Sequence, residues 1–313
     1  MTSTPEATRL RRIARYLIGG IAAAAAVVTL LGLLAGVFPY LELINHFRWV
    51  LLAVSSLAAA AAWWAGGRAL RRISASVLIA NLVLASLPLM AQASSATRPT
   101  LRVTTFNLWI QNREPQAVVG FLRETDADVV VLQEVGSRLE QEIVPHLRDK
   151  YPHVVSCARR NCGLVLLSKT DWLDAGFSDR TRLAPPIVWA RFAGAGRPYV
   201  ITGLHLAYPF QPAMQVDHID WLAERLRQAG DTQIVVGDFN LTPFSLKLNA
   251  LAFQTNLRRH ATLGASWPAN RFVPVVLLDN LLASPSVRAV DVRYGAASYG
   301  SDHYPVTFDI ALD

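Results

Sequence analysis

The sequence predicts an α/β domain preceded by three membrane-spanning helices. Three observations predict it: long uncharged apolar runs confined to the first hundred residues, short apolar strands alternating with helical patterns beyond residue 100, and polar residues placed repeatedly at the ends of those strands. The chain has 313 residues, 52% of them hydrophobic and 17% charged, which is apolar for a wholly water-soluble enzyme. Nine of the 30 Lys and Arg and two of the 23 Asp and Glu fall in residues 1–100, so that stretch carries +7 while the remainder, with 21 of each sign, is neutral. The pI of 9.8 therefore comes from the N-terminal third and does not point to nucleic acid as a partner of the rest.

Residues 1–97 read as a membrane region. No charged residue lies between Arg15 and Glu42, between Arg48 and Arg68, or between Arg72 and Arg98. Each gap holds an apolar run of about 20 residues, enough to cross a hydrocarbon core, so helices are expected near 16–38, 49–66 and 73–93. A cleaved signal peptide explains the first run less well, because the run is long and two more follow it. Ala91-Gln92-Ala93 has the form of a cleavage site but would follow a third crossing, not a leader. Gly32 and Gly36 have the spacing of a close-packing pair, a spacing that an Ala-rich helix also offers by chance. Arg9, Arg11, Arg12 and Arg15 precede the first helix, and Arg68, Arg71 and Arg72 separate the second from the third. The positive-inside rule puts both clusters in the cytoplasm and residues 98–313 outside it, as in an integral protein of a bacterial inner or plasma membrane. Trp63 and Trp64 then fall at the inner interface.

Beyond residue 100 the elements follow from periodicity and punctuation. Leu101–Phe106 reads as a strand and Pro115–Glu124 as a helix opened by its proline. Asp128–Leu132 is a nearly continuous apolar strand, and 138–148 a second helix. Strands are expected at 153–156, 163–168, 187–193 and 198–204. Gln211–Gln228 carries Met214, Ile219, Leu222 and Leu226 at helical spacing. Further strands are expected at 234–237, 275–278, 287–293 and 305–312. Cys157 and Cys162, the only cysteines, lie on the exported side. They read as a disulfide, with buried or metal-binding thiols as the alternative; with His153 they fall short of the four ligands of a structural zinc site.

Polar residues close these strands. Asn107 ends the first, Glu134 follows Gln133 at the end of the next, and His205 ends another. Gly237 is expected to turn the chain tightly, presenting Asp238 and Asn240 to a common side as residues two apart in an extended segment. An Asx turn, with both side chains bonding their own backbone, is the plainer reading of Gly-Asp-Phe-Asn. Asp279 follows 275–278, and Asp302 and His303 precede the last strand. Any one of these is most simply a solvated strand end. Six such clusters together are a site, because open α/β sheets bind ligands beyond their strand ends.

These residues resemble the endonuclease/exonuclease/phosphatase superfamily, with the DNase I-like fold, and the chain is similar to a membrane-anchored, bacterial-type member. The resemblance rests on Thr105-Phe106-Asn107, Gln133-Glu134, Gly163-Leu164-Val165-Leu166-Leu167-Ser168, His205, Gly237-Asp238-Phe239-Asn240, Leu278-Asp279 and Ser301-Asp302-His303, in the family's order over roughly 101–313. It implies an α/β four-layer sandwich of two mixed β-sheets flanked by helices, in a catalytic domain spanning 98–313. It also implies a divalent-metal-dependent phosphoester hydrolase using Mg²⁺, with Mn²⁺ as the substitute. Glu134, Asn107 and Asp302 would hold the metal. His303 would be the general base oriented by Asp279, Asp238 and Asn240 would position water and phosphoryl oxygens, and His205 would bind phosphate or protonate the leaving group. Asn280 departs from the Tyr or His common after the family's acid.

Three function classes follow: a phosphodiesterase or phosphatase at the outer membrane face, an extracytoplasmic nuclease of the same mechanism cutting DNA or RNA, and a non-enzymatic scaffold. The full set of catalytic-type residues argues against the scaffold, and the neutral charge of 101–313 argues against strong duplex binding. Basic pairs such as Arg159-Arg160 and Arg258-Arg259 keep nucleic acid as a partner beside the lipid bilayer and a phosphoester substrate; no protein partner is inferred. A tether of about seven residues between the third helix and the first strand spans at most roughly 25 Å, which favours a substrate at the membrane. Tyr208-Pro209-Phe210 and Trp267-Pro268 are aromatic loops suited either to an interface or to ordinary packing.

Overall fold

The computed structural model describes residues 5–89, 98–160, 162–260, 264–271 and 275–312. The chain divides into two compact units near residue 90. In the first, α1 (Pro5–Leu33) leads through 3₁₀ turns at Leu34–Gly36 and Pro39–Leu41 to α2 (Glu42–His46), α3 (Arg48–Ala65) and α4 (Arg68–Ser86). Helix α1 starts well before residue 16 because its arginine-rich lead-in is also a good helix former. It stops short of 38, where Phe38 becomes extended ahead of Pro39. Extended Gly66 and Gly67 end α3 and start α4. The end of the expected third helix, with Ala91-Gln92-Ala93 and most of the tether, lies outside the described residues.

The interior of this unit is small and polar. Ala22, Ala25, Ala58, Ala62 and Ala85 are buried together with Thr29, Asn45, Arg48, Ser55 and Asn81, while Leu17, Val27, Leu30, Leu57, Ile79 and Trp64 are exposed. Asn81 donates to Ser55 Oγ (3.1 Å) and Thr29 Oγ1 (3.0 Å), and Arg48 donates to Asn45 Oδ1. Only half of the glycine pair is used. The Gly32 carbonyl accepts from Asn45 Nδ2 (3.0 Å) and a Cβ there would lie 2.9 Å from Asn45 Oδ1, whereas Gly36 has nothing within 4 Å. Three segments, Arg9–Gly36, Arg48–Ala65 and Arg68–Ser86, are long and apolar enough to cross a membrane.

The second unit runs β1 (Leu101–Asn107), α5 (Pro115–Glu124), β2 (Val129–Gln133), α6 (Ser137–Ile143), β3 (His153–Ser156), β4 (Val165–Ser168), β5 (Asp174–Ser178), β6 (Ile187–Phe192), β7 (Tyr199–His205), α7 (Pro212–Gln228), β8 (Thr232–Asp238), α8 (Leu246–Gln254), β9 (Arg258–His260), β10 (Asp279–Ala283), β11 (Val287–Tyr294) and β12 (Val306–Leu312). Two six-stranded sheets form, in the orders β11-β12-β1-β2-β4-β3 and β5-β6-β7-β8-β10-β9. Each is mixed, with one central parallel pair, β1/β2 or β7/β8, and antiparallel neighbours. One apolar core, including Val103, Val131, Ile201 and Val236, fills the space between the sheets. A second packs α5 and α6 on the outside of one sheet, and a third packs α7 and α8 on the outside of the other. The result is the expected helix–sheet–sheet–helix sandwich.

Four local expectations are corrected. The apolar run 275–278 is not a strand; Val276 makes an isolated bridge to Trp267, and β10 begins at Asp279 itself. Gly237 does not turn the chain but lies within β8, at φ 149°, where a Cβ would meet the Leu204 carbonyl oxygen at 2.2 Å. The helix expected at 138–148 gives way at Val144 to a 3₁₀ turn, with Pro145 at its start. Strands β5 and β9 and helix α8 were not expected; β5 is half exposed, β9 has three residues, and neither alternates clearly.

Candidate active site

Parallel pairing explains where the polar residues meet. In-register pairing of Asn107 with Gln133, and of His205 with Asp238, brings the C-terminal ends of two strands together at one edge of each sheet. Because β10 runs antiparallel to β8, its first residue, Asp279, lies opposite Asp238. A strand start therefore reaches the same edge as the strand ends, which is why Asp279 belongs to the group although no strand precedes it.

Asp238 is the shared member of the cluster. Its Oδ2 accepts from Asn107 Nδ2 (3.0 Å) and stands 3.6 Å from His205 Nε2 and 3.7 Å from His303 Nε2. Those two distances exceed a hydrogen bond and leave the imidazoles facing a common carboxylate oxygen. The other oxygen, Oδ1, accepts from the Asn240 amide (2.8 Å), so the Asx turn and the site coexist in one residue. Asn240 does not join the cluster through its amide group, which donates to the Leu206 carbonyl (3.1 Å) and so braces the end of β7. Glu134 and Asn240 both adopt left-handed backbone, φ 55° and 49°, a conformation costly for either residue and held only by its surroundings.

His303 Nδ1 donates to Asp279 Oδ2 at 2.9 Å, with both side chains buried. Burial alone would push His303 down, but the carboxylates of Asp279, Asp238 and Asp302 outweigh it and raise the imidazole to about 9. Asp279 is pushed up by burial. Ser301 fixes the approach of this segment: its Oγ donates to the Asn107 carbonyl (2.7 Å) and accepts from the His303 amide (3.0 Å). His205 is opposite in character. Complete burial lowers its pKa despite Asp238 and Glu134, so it is neutral, and its Nε2 has no hydrogen-bond partner.

Glu134 stands in the wall of a cavity of about 270 Å³. Its oxygens accept only from neutral donors: Asn107 Nδ2, the Ile110 amide and the Tyr208 hydroxyl, each at 3.2 Å. Asp302 accepts from Trp267 Nε1 (3.2 Å) and is raised first by burial, with Glu134 adding in the same direction. The two aromatic loops thus turn polar atoms toward the site's acids: Tyr208 to Glu134 and Trp267 to Asp302. Asn280 is fully buried and braces the Leu241 and Leu278 carbonyls (3.0 and 3.1 Å), away from the cluster. Cys157 and Cys162 form a disulfide, and Cys162 lines the cavity.

Four carboxylates and two histidines leave an excess of negative charge that suits a cation. No group of three His, Cys, Asp or Glu side chains among the described residues could enclose one.

Comparison with known proteins agrees with this arrangement. Solved structures with a similar fold include an endonuclease/exonuclease/phosphatase from Bacteroides vulgatus (16% identity over 68% of this chain and 99% of that one, TM-score 0.57). A mannosyl-6-phosphatase from Bacteroides thetaiotaomicron matches at 16% identity over 68% of this chain and 100% of that one, with a TM-score of 0.52. The human Nocturnin catalytic domain, solved with a bound sulfate anion, matches at 18% over 72% of this chain and 99% of that one, with a TM-score of 0.54. At such identities these likenesses concern the fold. No curated protein matches the sequence. The family model described as Endonuclease/Exonuclease/phosphatase family matches residues 104–303, a span that begins before Asn107 and closes on His303. With the sandwich and the strand-edge cluster in place, the chain belongs to the endonuclease/exonuclease/phosphatase family, whose members are phosphoester hydrolases.

Proposed function

We propose that this protein is a membrane-anchored, divalent-metal-dependent phosphoester hydrolase that acts outside the cytoplasm on a membrane-associated or small phosphoester. The observation that carries the chemistry is the sharing of one Asp238 oxygen by Asn107, His205 and His303, beside a cavity-facing Glu134. Glu134, with Asn107 and Asp302, would hold the cation. A divalent ion held there would supply charge neutralisation and P–O polarisation and would oppose the proton on His303.

The chain's own groups supply the rest. Once neutral, His303 takes a proton from the attacking water through Nε2, while Asp279 holds the imidazole by Nδ1 and stabilises the imidazolium that results. The water oxygen bonds to phosphorus as the ester P–O bond breaks. Asp238, 3.7 Å from His303 Nε2, orients the water. His205 presents an Nε2 without a partner to a phosphoryl oxygen or to the departing oxygen, and Asn240 holds the end of β7 in place.

Membrane attachment is supported by the inside-out helical unit, with polar side chains within and large apolar ones outside, as lipid requires. The arginines at 9–15 and 68–72 favour a cytoplasmic N-terminus. Covalent attachment to lipid-spanning helices raises the effective concentration of anything held in the same membrane. The test reconstitutes the full chain in liposomes and follows lipid phosphoesters, small phosphoesters and DNA, with EDTA and then Mg²⁺, Mn²⁺ or Ca²⁺. Turnover lost in EDTA and restored by Mg²⁺ or Mn²⁺ is expected. Turnover unaffected by EDTA, or DNA cleaved with every other phosphoester untouched, would overturn the reading. A C-terminal alkaline phosphatase fusion should be active and a green fluorescent fusion dark; the reverse pattern would reject the orientation.

A further inference from the structure

The cavity beside Glu134 is lined by groups of both charges. Its lining includes Glu134, His205 and Tyr208 and also Arg160, Arg180 and Gly163. Two guanidiniums and a single carboxylate contribute to the lining, and Arg160 also pairs with Asp179 just outside it. At about 270 Å³ it lies below the range of clefts that enclose drug-sized ligands, and it suits one small anionic group with its waters.

The loop that carries Arg160 is braced at several points. The Cys157–Cys162 disulfide closes the loop between β3 and β4, and the Gly163 carbonyl accepts from the Val135 amide (2.9 Å), tying this loop to the residue after Glu134. Arg160 is fixed from the side by Asp179 Oδ2 (2.8 Å) and lies 5.3 Å over the ring of Phe177, just past which the chain reaches Arg180. One carboxylate occupies only part of the five-donor fork of a guanidinium, which leaves other N–H groups able to meet an anion. Arg180 is half-buried. It lines the same cavity as His205 and Tyr208.

We propose that Arg180, assisted by Arg160, binds a second anionic group of the substrate, so that the enzyme prefers phosphoesters carrying another phosphate or carboxylate close to the bond that is cleaved. The inference rests on the proposed phosphoester chemistry for its term "scissile" but makes its own prediction about binding. The second anion would occupy the arginine side of the cavity while the reacting phosphate sits against Glu134 and His205. Charge-assisted hydrogen bonds from arginine to phosphate are directional and often bidentate, so lysine is a partial substitute at best.

The test is calorimetric binding by the full-length protein in detergent, with Mg²⁺ present, of two matched pairs. Fructose 6-phosphate against fructose 1,6-bisphosphate gives the soluble arm, and dioctanoyl phosphatidylinositol against its 4-phosphate gives the lipid arm. The unaltered protein should favour the doubly charged member of at least one pair, and the arm in which it does so identifies the source. Arg180→Gln should weaken that member roughly 10- to 100-fold while shifting the singly charged one by no more than about threefold. Arg180→Lys should recover part of the loss, and an unchanged melting temperature shows that the fold is kept. Equal losses for both members would place Arg180 on the scissile phosphate instead, and no loss for either would remove it from binding; both outcomes overturn the proposal. If the preference is present and Arg180-dependent but no bound compound is hydrolysed, the phosphoester chemistry fails and the second anion site stands.

Discussion

Both units of this protein bury hydrogen-bonded polar side chains, and they do so for opposite reasons. In the helical unit Thr29, Asn45, Arg48, Ser55 and Asn81 lie inside a bundle whose outside is leucine, valine, isoleucine and tryptophan. In the α/β unit three apolar cores fill the space within and around the sheets, and Asn107, Asp238, Asp279, His205 and His303 are collected at one edge where strands end. Within the helices these five residues satisfy one another, although Glu42 Oε1 and Ser74 Oγ of the same unit do not: Asn81 reaches Thr29, Ser55 and Arg48, and Asn45 reaches Gly32 and Arg48. At the strand edge they do not. His205 Nε2 and Asp279 Oδ1 have no partner, and Asp238 stands just beyond hydrogen-bond reach of two imidazoles. A satisfied network holds helices together, whereas an incomplete one waits for a substrate to complete it.

The largest effect expected from breaking this contrast is at the strand edge. His303→Ala removes the proposed base and should lower the rate roughly 10²- to 10⁴-fold. Glu134→Ala should abolish the response to added metal together with turnover. Glu134→Ala should barely move the melting temperature, whereas His303→Ala leaves Asp279 buried without its partner, so its rate is read well below its own transition. Rates within threefold of the unaltered protein in both variants would show that the cluster is structural after all.

How much of this was legible follows the same division. The helix Pro115–Glu124 and the strand His153–Ser156 appear at their expected bounds, because a helix-opening proline and a short run of β-branched residues act locally. Asn107, Glu134, His205 and Asp238 were legible as strand ends, since a parallel sheet brings such ends to one edge. Asp279 was found for a mistaken reason: the hydrophobic run before it looks like a strand, but register against β8, not local sequence, decides that the strand starts at the aspartate. Gly237 reads as a turn in the sequence, and only the neighbouring strand β7 reveals that Leu204 allows no Cβ there. Tyr208, Trp267 and Arg180 carry no periodic signal at all. Each comes from a loop or a strand end, and its role depends on which distant residue the fold sets opposite it.

A second prediction separates the units by acid. His260, at the edge strand β9, is held down to about 4, mainly by burial and further by Arg258 and Arg259. An unfolded chain binds that proton near pH 6.5, and the folded one does so only near 4. Stability from neutral His260 is therefore full above about pH 6.5 and is lost as the pH falls toward 4, by at most about 3 kcal/mol. Burial lowers His205 and His218 in the same direction. Urea unfolding of the α/β unit, followed by tryptophan fluorescence at pH 7 and pH 4.5, should show the loss, and His260→Gln should shrink it. An acid loss of equal size in the variant would exclude His260 as its source.

The smallest effect tests the helical interior through two glycines that the sequence presents as equals. Gly32 and Gly36 lie one helical turn apart, and both were candidates for close helix packing. Their surroundings differ completely. A Cβ on Gly32 meets Asn45 Oδ1 at 2.9 Å, Ile44 Cγ2 at 3.2 Å and Arg48 at 3.3 Å, so a larger side chain there must push the 42–48 segment away and break the Asn45–Gly32 hydrogen bond. A Cβ on Gly36 meets nothing within 4 Å. Overpacking in a dense core costs about 1–3 kcal/mol. Polar contacts in lipid-facing bundles are worth less than that range suggests, about 0.6 kcal/mol each, because the separated helices find other partners. Gly32→Leu should therefore destabilise the full-length protein in detergent by about 1 kcal/mol, seen as an earlier loss of helix signal on heating, and Gly36→Leu should match the unaltered protein. Hydrolysis measured well below that transition should be the same in both, since the strand-edge cluster draws on neither glycine. Identical melting of the two variants would mean that the polar interior of the helices does not constrain their packing, and the contrast between a satisfied network and an incomplete one would fail on the helical side.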